Sequence, residues 1–316
     1  MGECFMTCDV EVVVLFGGDS EEREISFKSA EPTIDHLKQF VNVRSIRLDA
    51  NELPIHLRLH KDLVFPLIHG DFGEDGRLQY LLERGGYAMV GSGSKASRLC
   101  IDKMKSKRLV GRWGIPVLPA MDLAVGEALD ETHLKTVLKS ETFVLKPTDK
   151  GSSIGVHLCE SFQALQHIWS TVKGGNWMVE RYVHGRELTV GILQGEPLEV
   201  VEIRPKVGFY DFKNKYTAGA CDYLLPAPVD ADTSRKVRAI AGEFFKRAHC
   251  LDFARADFLL EDDGSIWFLE MNTIPGMTSQ SLFPKSAACC GMSFDEVLQR
   301  VIRGAVDRNR CCNLLK

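Results

Sequence analysis

"ARADFLLEDDGSIWFLEMNTIPGMTSQSL", residues 254–282, holds the densest chemistry in the chain. Two apolar runs flank "EDDG", so the segment predicts a β-hairpin. Asp257 falls on the first strand, Glu270 and Asn272 on the second. The latter two are two residues apart and share one strand face, with Leu269 and Met271 alternating inward. With Asp257 across the hairpin, three oxygen donors converge. Such a set suits Mg²⁺ carrying nucleotide phosphates. A solvated strand face is the plainer reading of a D…ExN pattern, but the turn "NTIPGMT" that follows brings backbone N–H groups close to whatever a metal there would hold. Arg255 lies two residues before Asp257 and shares its face. Taken alone it reads as an ion-pair partner.

A second stretch, "LKPTDKGSSIGV" (145–156), looks like a phosphate cradle of unusual build. In a P-loop the lysine follows the glycines, as GKS or GKT. Here Lys146 precedes the pair Ser152–Ser153 by six residues and follows the apolar run Phe143–Leu145.

The rest of the chain sets bounds. Its 316 residues exceed one ordinary core and predict two or three domains. An apolar fraction of 45% with 26% charged residues is that of a globular protein. A net charge of −4 provides no footprint for nucleic acid. No run is long enough to span a bilayer. "MGECFMTCDV" lacks a basic region leading into an apolar stretch, and Met6 stands where a myristoylation pattern needs Ser or Thr. No membrane association is expected, and the expected location is the cytoplasm. The ten cysteines are scattered, two pairs are vicinal (Cys289–Cys290, Cys311–Cys312) and no CxxC occurs, which favours reduced thiols over zinc or disulfides.

"DVEVVVLF" (9–16), then Gly17–Gly18, then "DSEEREISFKSAEPTI" reads as strand, turn and helix, the opening of a parallel α/β domain. Further strands follow at 62–70 and 87–91, which makes residues 1–93 one domain. Residues 94–116 predict a helix that ends at Gly114 and Pro116. "TFVLKPT" and "GVHLCE" predict a hairpin around the serine-glycine turn, and "WMVERYV" closes a central lobe over 94–180. Residues 181–316 alternate strands and helices around a long segment, 206–228, whose mixed aromatics and lysines suggest a lid.

"GGDSEEREIS", "HGDFGEDG", "KPTDKGSSIGV", "ERYVHGRELTVGIL", "YDFKNKY" and "RADFLLEDDG…FLEMNTIPGMTSQSLFP" occur in this order. Together they resemble the D-alanine–D-alanine ligase family of ATP-grasp enzymes, from Val12 to about Val306. The resemblance implies an α/β (α+β ATP-grasp) fold of three domains: an N-terminal parallel α/β domain, then a two-lobed ATP-grasp unit with ATP between the lobes. It further implies a homodimer, and Mg²⁺ (or Mn²⁺), two ions, held by Asp257, Glu270 and Asn272. By the same resemblance Lys103 and Lys146 contact the ATP phosphates. The loop with Ser152 and Ser153 folds over them. Glu180 takes the adenine amino group beside Val183, Glu187 the ribose hydroxyls, and Lys215 the γ-phosphate.

On the substrate side, the resemblance gives Glu22 the ammonium and His69 the carboxylate of the first D-alanine. Ser281 and the Leu282 N–H take the carboxylate of the second. Arg255 and the Gly276 N–H stabilise the oxyanion, and Ser152 links Glu22 to Tyr216, whose presence goes with dipeptide formation. From the residues alone, Glu22 could instead complete a capping box with Asp19, and His69 could be plain packing. Three competing functions remain open: the same chemistry with D-lactate or D-serine as acceptor, a non-catalytic nucleotide-binding protein, and a dinucleotide-dependent oxidoreductase. The last is suggested by "LFGGDS" but lacks GxGxxG.

Overall fold

The computed structural model describes residues 10–206, 220–278 and 280–315. Tyr216 and Lys215, with most of the expected lid, lie outside the described residues. Strands β1 (Glu11–Gly17), β2 (Val43–Leu48), β3 (Asp62–Pro66) and β4 (Ala88–Met89) form a parallel sheet in the order β2-β1-β3-β4. β1 is central and covered on both faces, hence its unbroken β-branched run rather than an alternating one. Helix α1 (Arg23–Leu37) lies on one face, its buried side small (Ser26, Ser29, Ala30, Thr33). Ser26 ties it down, accepting from Gly17 N–H at 2.8 Å and donating to the Leu67 carbonyl at 2.6 Å. α2 (Arg77–Gly85) buries Leu78 and Leu82 against the other face.

A second sheet is antiparallel, in the order β5-β8-β6-β7, from β5 (Ala120–Leu123), β6 (Phe143–Pro147), β7 (His157–Cys159) and β8 (Trp177–Arg181). One face, with Phe143, Leu145 and Val179, is covered by α5 (Glu131–Leu138) and α6 (Phe162–Thr171). Val144, Lys146, Met178 and Glu180 alternate with these and form the opposite face.

The third sheet, β11-β10-β9-β12-β13, is also antiparallel, built from β9 (Arg186–Leu193), β10 (Glu196–Pro205), β11 (Cys221–Leu224), β12 (Phe253–Leu260) and β13 (Ile266–Asn272). α7 (Ala231–Arg247) packs Val237, Ala241, Phe244 and Phe245 on it. α8 (Leu282–Cys289) contacts β9 and β10. The last helix, α9 (Phe294–Cys311), starts with a capping box between Ser293 and Glu296 and returns to the first sheet. There its Val297, Leu298 and Val301 share one core with Val12, Val14 and Phe65.

The structure departs from the sequence reading in several places. The helix over 94–116 is two, α3 (Ser94–Ile101) and α4 (Lys103–Arg112), broken at Asp102, whose carboxylate caps α4 by accepting from Lys105 N–H at 2.9 Å. Cys221–Leu224, read as lid, is β11, an edge strand fixed by pairing with β10 rather than by its own pattern. Leu269 does not alternate inward: the β12–β13 register slips between Asp257 and Phe258, and Leu269 faces a cavity while Met271 is core. The capping box at Asp19 is not formed, since α1 begins at Arg23 with Glu22 itself at the N-cap position and no side-chain cap.

Candidate active site

Between the second and third sheets lies a cavity of about 400 Å³. Its walls include Lys103, Lys146, Ser153, Glu180, Val183 and Glu187, and its end is bordered by Asp257 and Glu270. Eight residues singled out in the sequence thus come together from β6, β8, β9, β12, β13, α4 and the 148–156 loop. The break at Asp102 aims Lys103, which donates to the Lys150 carbonyl at 2.7 Å and pairs with Glu270 at 3.0 Å.

Asp257 and Glu270 are directly opposite in the β12–β13 ladder, and Arg255 is opposite Asn272, so all four share one face. Arg255 is buried and donates twice to Asp257, at 2.9 and 2.7 Å, while Thr189 donates to the same carboxylate at 2.6 Å. Asn272 Oδ1 accepts from Ile274 N–H at 2.9 Å, which folds the turn after β13 back on itself. Two carboxylates and an amide oxygen on one face fit a hard divalent cation. Their present partners are cations, Lys103 and Arg255, so the pocket is already built around their negative charge.

Glu180 is strongly perturbed. Burial alone would raise its pKa, but Lys107 and Lys146 together overcome this and hold it down at about 2. Lys107 Nζ is 2.9 Å from Oε2 and Lys146 Nζ pairs with Oε1. Glu180, expected to take the adenine amino group, lines the cavity. Its two oxygens are committed to lysines, because β6 and β8 place Lys146 diagonally beside it and α4 delivers Lys107 from above.

Ser152 and Ser153 have left-handed backbones (φ 50° and 57°), which turn the loop sharply toward the first domain. Ser152 donates to Glu22 Oε1, and Lys150 pairs with Asp71 at 2.5 Å. Here Gly70 is needed for its bareness: its φ is 73°, and a Cβ would lie 2.7 Å from Glu22 Oε2. Both ring nitrogens of His69 have partners within the protein. Its Nε2 meets Ser29 Oγ at 3.1 Å and Nδ1 meets Glu74 at 3.3 Å, so it reaches the site through Glu74. A smaller cleft on this side of the loop is bordered by Glu74, Gly151, Ser152, Glu270 and Asn272. Gly151 and Glu270 border both cavity and cleft.

Ser281 and Leu282 stand at the start of α8, a helix that went unread because Pro284 and a single charge, Lys285, hide its pattern. Ser281 Oγ accepts from Thr278 N–H at 3.1 Å and lies 2.8 Å from Thr278 Oγ1, curling the loop so that Gly276 comes against it. Leu282 N–H belongs to the first turn, where an anion is favoured. Lys107, the second partner of Glu180, was not singled out in the sequence. A lysine on a polar helix reads as solvated, and only the three-dimensional approach of α4 to β8 buries it.

Known proteins resemble this chain in sequence and fold. A family pattern described as "D-ala D-ala ligase C-terminus" matches residues 109–303. The D-alanine–D-alanine ligase of Methylacidiphilum infernorum is 39% identical over 293 residues, covering 92% of this chain and 94% of that one. The crystal structure of D-alanine–D-alanine ligase from Bacillus anthracis complexed with ATP superposes with a TM-score of 0.84 at 27% identity, covering 95% and 99% of the two chains. The VanG D-Ala:D-Ser ligase of Enterococcus faecalis superposes with a TM-score of 0.79 at 26% identity, covering 94% and 99%. The chain belongs to the D-alanine–D-alanine ligase family and has the ATP-grasp fold of an ATP-dependent ligase.

Proposed function

We propose that the protein joins two D-alanines into D-alanyl-D-alanine through a D-alanyl phosphate, releasing ADP and phosphate, as a step in making peptidoglycan precursors. The observation that carries this reading is the shared wall: Gly151 and Glu270 border both the larger cavity and the small cleft, so a γ-phosphate in one faces a carboxylate in the other. In the first step the carboxylate oxygen of one D-alanine attacks the γ-phosphorus and ADP departs. The amine of the second then attacks the acyl carbon, and phosphate leaves from the tetrahedral intermediate with the carbon–nitrogen bond formed.

The chain's own residues supply position and charge. Lys103 and Lys146 neutralise the phosphates as a carboxylate approaches them. Glu22, held by Ser152, meets the ammonium of the first D-alanine. Arg255 and the Gly276 N–H face the developing oxyanion, and Ser281 with the Leu282 N–H holds the carboxylate of the second substrate. Glu187 takes the ribose, and Val183, with the backbone after β8, borders the base. Asp257, Glu270 and Asn272 would hold Mg²⁺, which when bound screens the triphosphate charge. Tyr216 and Lys215 are assigned to the lid on sequence grounds, as are the domain limits 1–93, 94–180 and 181–316 and the homodimer.

Phosphate release from ATP and Mg²⁺, with products identified by mass, tests the reading. D-alanine alone should support release and yield only the dipeptide. Release that needs D-serine or D-lactate would replace the acceptor and keep the phosphoryl chemistry. Absence of release under every condition would overturn catalysis.

A further inference from the structure

We infer that Lys107 is a positioning residue for nucleotide binding, because its ion pair with Glu180 leaves Lys146 available to the ATP phosphates. The inference rests on the ATP site proposed above but concerns a residue outside it. Lys107 comes from α4, is buried, and pairs with the Glu180 oxygen that Lys146 does not. Lys107 Nζ and Glu180 Oε2 are closed to solvent and, among the described residues, make no other hydrogen bond. Lys146 and Glu180 are diagonal neighbours on β6 and β8, Val144 being opposite Glu180 and Lys146 opposite Met178.

Two ammonium groups therefore share one buried carboxylate. Among the described residues the adjoining pairs, Lys103–Glu270 and Arg255–Asp257, are each balanced, so the triad leaves one positive charge in excess. Burial pushes the Lys107 ammonium below its ordinary pKa, Glu180 opposes this, and repulsion from Lys146 adds to it. Lys146 borders the cavity and Lys107 does not. A polyphosphate entering that cavity meets the excess charge at Lys146. When Lys146 turns to it, Glu180 keeps Lys107 and is not left as a bare buried anion. With Lys107 removed, Glu180 would have Lys146 as its sole ammonium partner in the triad, and the phosphates would have to compete with a buried carboxylate for it.

Calorimetric titration with ATP and Mg²⁺, with adenosine as the control for the base, separates the possibilities. Lys107→Met should weaken ATP by about tenfold or more, the scale of one charge-assisted contact, and leave adenosine unchanged. Lys107→Arg should restore ATP binding. In Lys107→Met combined with Glu180→Gln, Lys146 is released from the carboxylate and ATP affinity should recover most of the loss, which a merely structural role would not produce. Unchanged ATP affinity in Lys107→Met, equal loss for adenosine, or no recovery in the double variant would each overturn the inference. If Lys107→Met does not fold by circular dichroism, Lys107→Gln takes its place with the same expectations. Failure of the unsubstituted protein to bind ATP would instead remove the nucleotide site itself, and the inference with it.

Discussion

Ser152 of the phosphate loop donates a hydrogen bond to Glu22 at the start of α1, 130 residues earlier in the chain. The contact joins the loop that would cover ATP to the domain that would hold the first amino acid. Both partners are buried, and Gly70 and Gly151 leave the space in which Glu22's carboxylate sits. A hydroxyl-to-carboxylate bond of this kind is charge-assisted and costs about 1.5–3 kcal/mol to lose.

Ser152→Ala should therefore lower kcat/KM for D-alanine by about 10- to 100-fold, the rate equivalent of that loss. ATP binding should change much less, because Ser152 borders the small cleft and not the large cavity. Steady-state kinetics with D-alanine varied at saturating ATP, set beside an ATP titration, checks this. Equal losses on both sides would place Ser152 on the nucleotide instead.

Glu270→Gln removes the carboxylate that borders both cavity and cleft and leaves Lys103 without its 3.0 Å partner. Glu270 is partly exposed, so the fold should survive with a small change in melting temperature. Phosphate release should fall by at least about a hundredfold, as expected when charge stabilisation at a phosphoryl group is lost. Near-normal release at the usual Mg²⁺ concentration would take Glu270 out of the proposed metal set.

How much of this was legible in the sequence depends on how local each signal is. The β12–β13 hairpin could be read because strand alternation and the "EDDG" turn are both local, and Asp257 and Glu270 do face each other. The bulge that turns Leu269 to the cavity could not, since one extra residue leaves the composition unchanged. β2 and β5 were hidden for a different reason. "VRSIRL" and "AMDL" are edge strands with mostly half-exposed side chains, and their identity is set by the neighbour they pair with. Glu180 and His69 were recognised as important, but their partners come from α4, α1 and the 70–75 turn, contacts no spacing in the sequence reveals.

Acid should weaken the fold through Glu180. Its folded pKa of about 2 lies below the ordinary 4.5, so the folded state favours the ionised form. The contribution is complete above about pH 4.5 and is lost as pH falls toward 2. The gap between those values corresponds to about 3 kcal/mol. Urea unfolding between pH 3 and 6 should show a fall in stability that Glu180→Gln flattens. That variant should also be less stable throughout, because Lys107 remains buried without its anion. An identical pH slope in both proteins would assign the acid sensitivity to other carboxylates.

Gly276 sits where a side chain has no room. A Cβ there would lie 2.8 Å from Ser281 Oγ, and Ser281 is the residue that curls the loop onto Thr278 and starts α8. Gly276→Ala should push Ser281 away from its position beside the Leu282 N–H and so disturb the proposed seat of the second carboxylate. The core under the loop, Met277 and Phe283, is untouched, so melting should shift little. With two D-alanines binding in sequence, the damage should fall on the weaker, second saturation phase, raising its KM by about tenfold, the scale of one displaced hydrogen bond. The first phase and ATP binding should stay as they were. A variant that lost the first phase instead would show that this loop serves the donor amino acid, and would move Ser281 to the other side of the reaction.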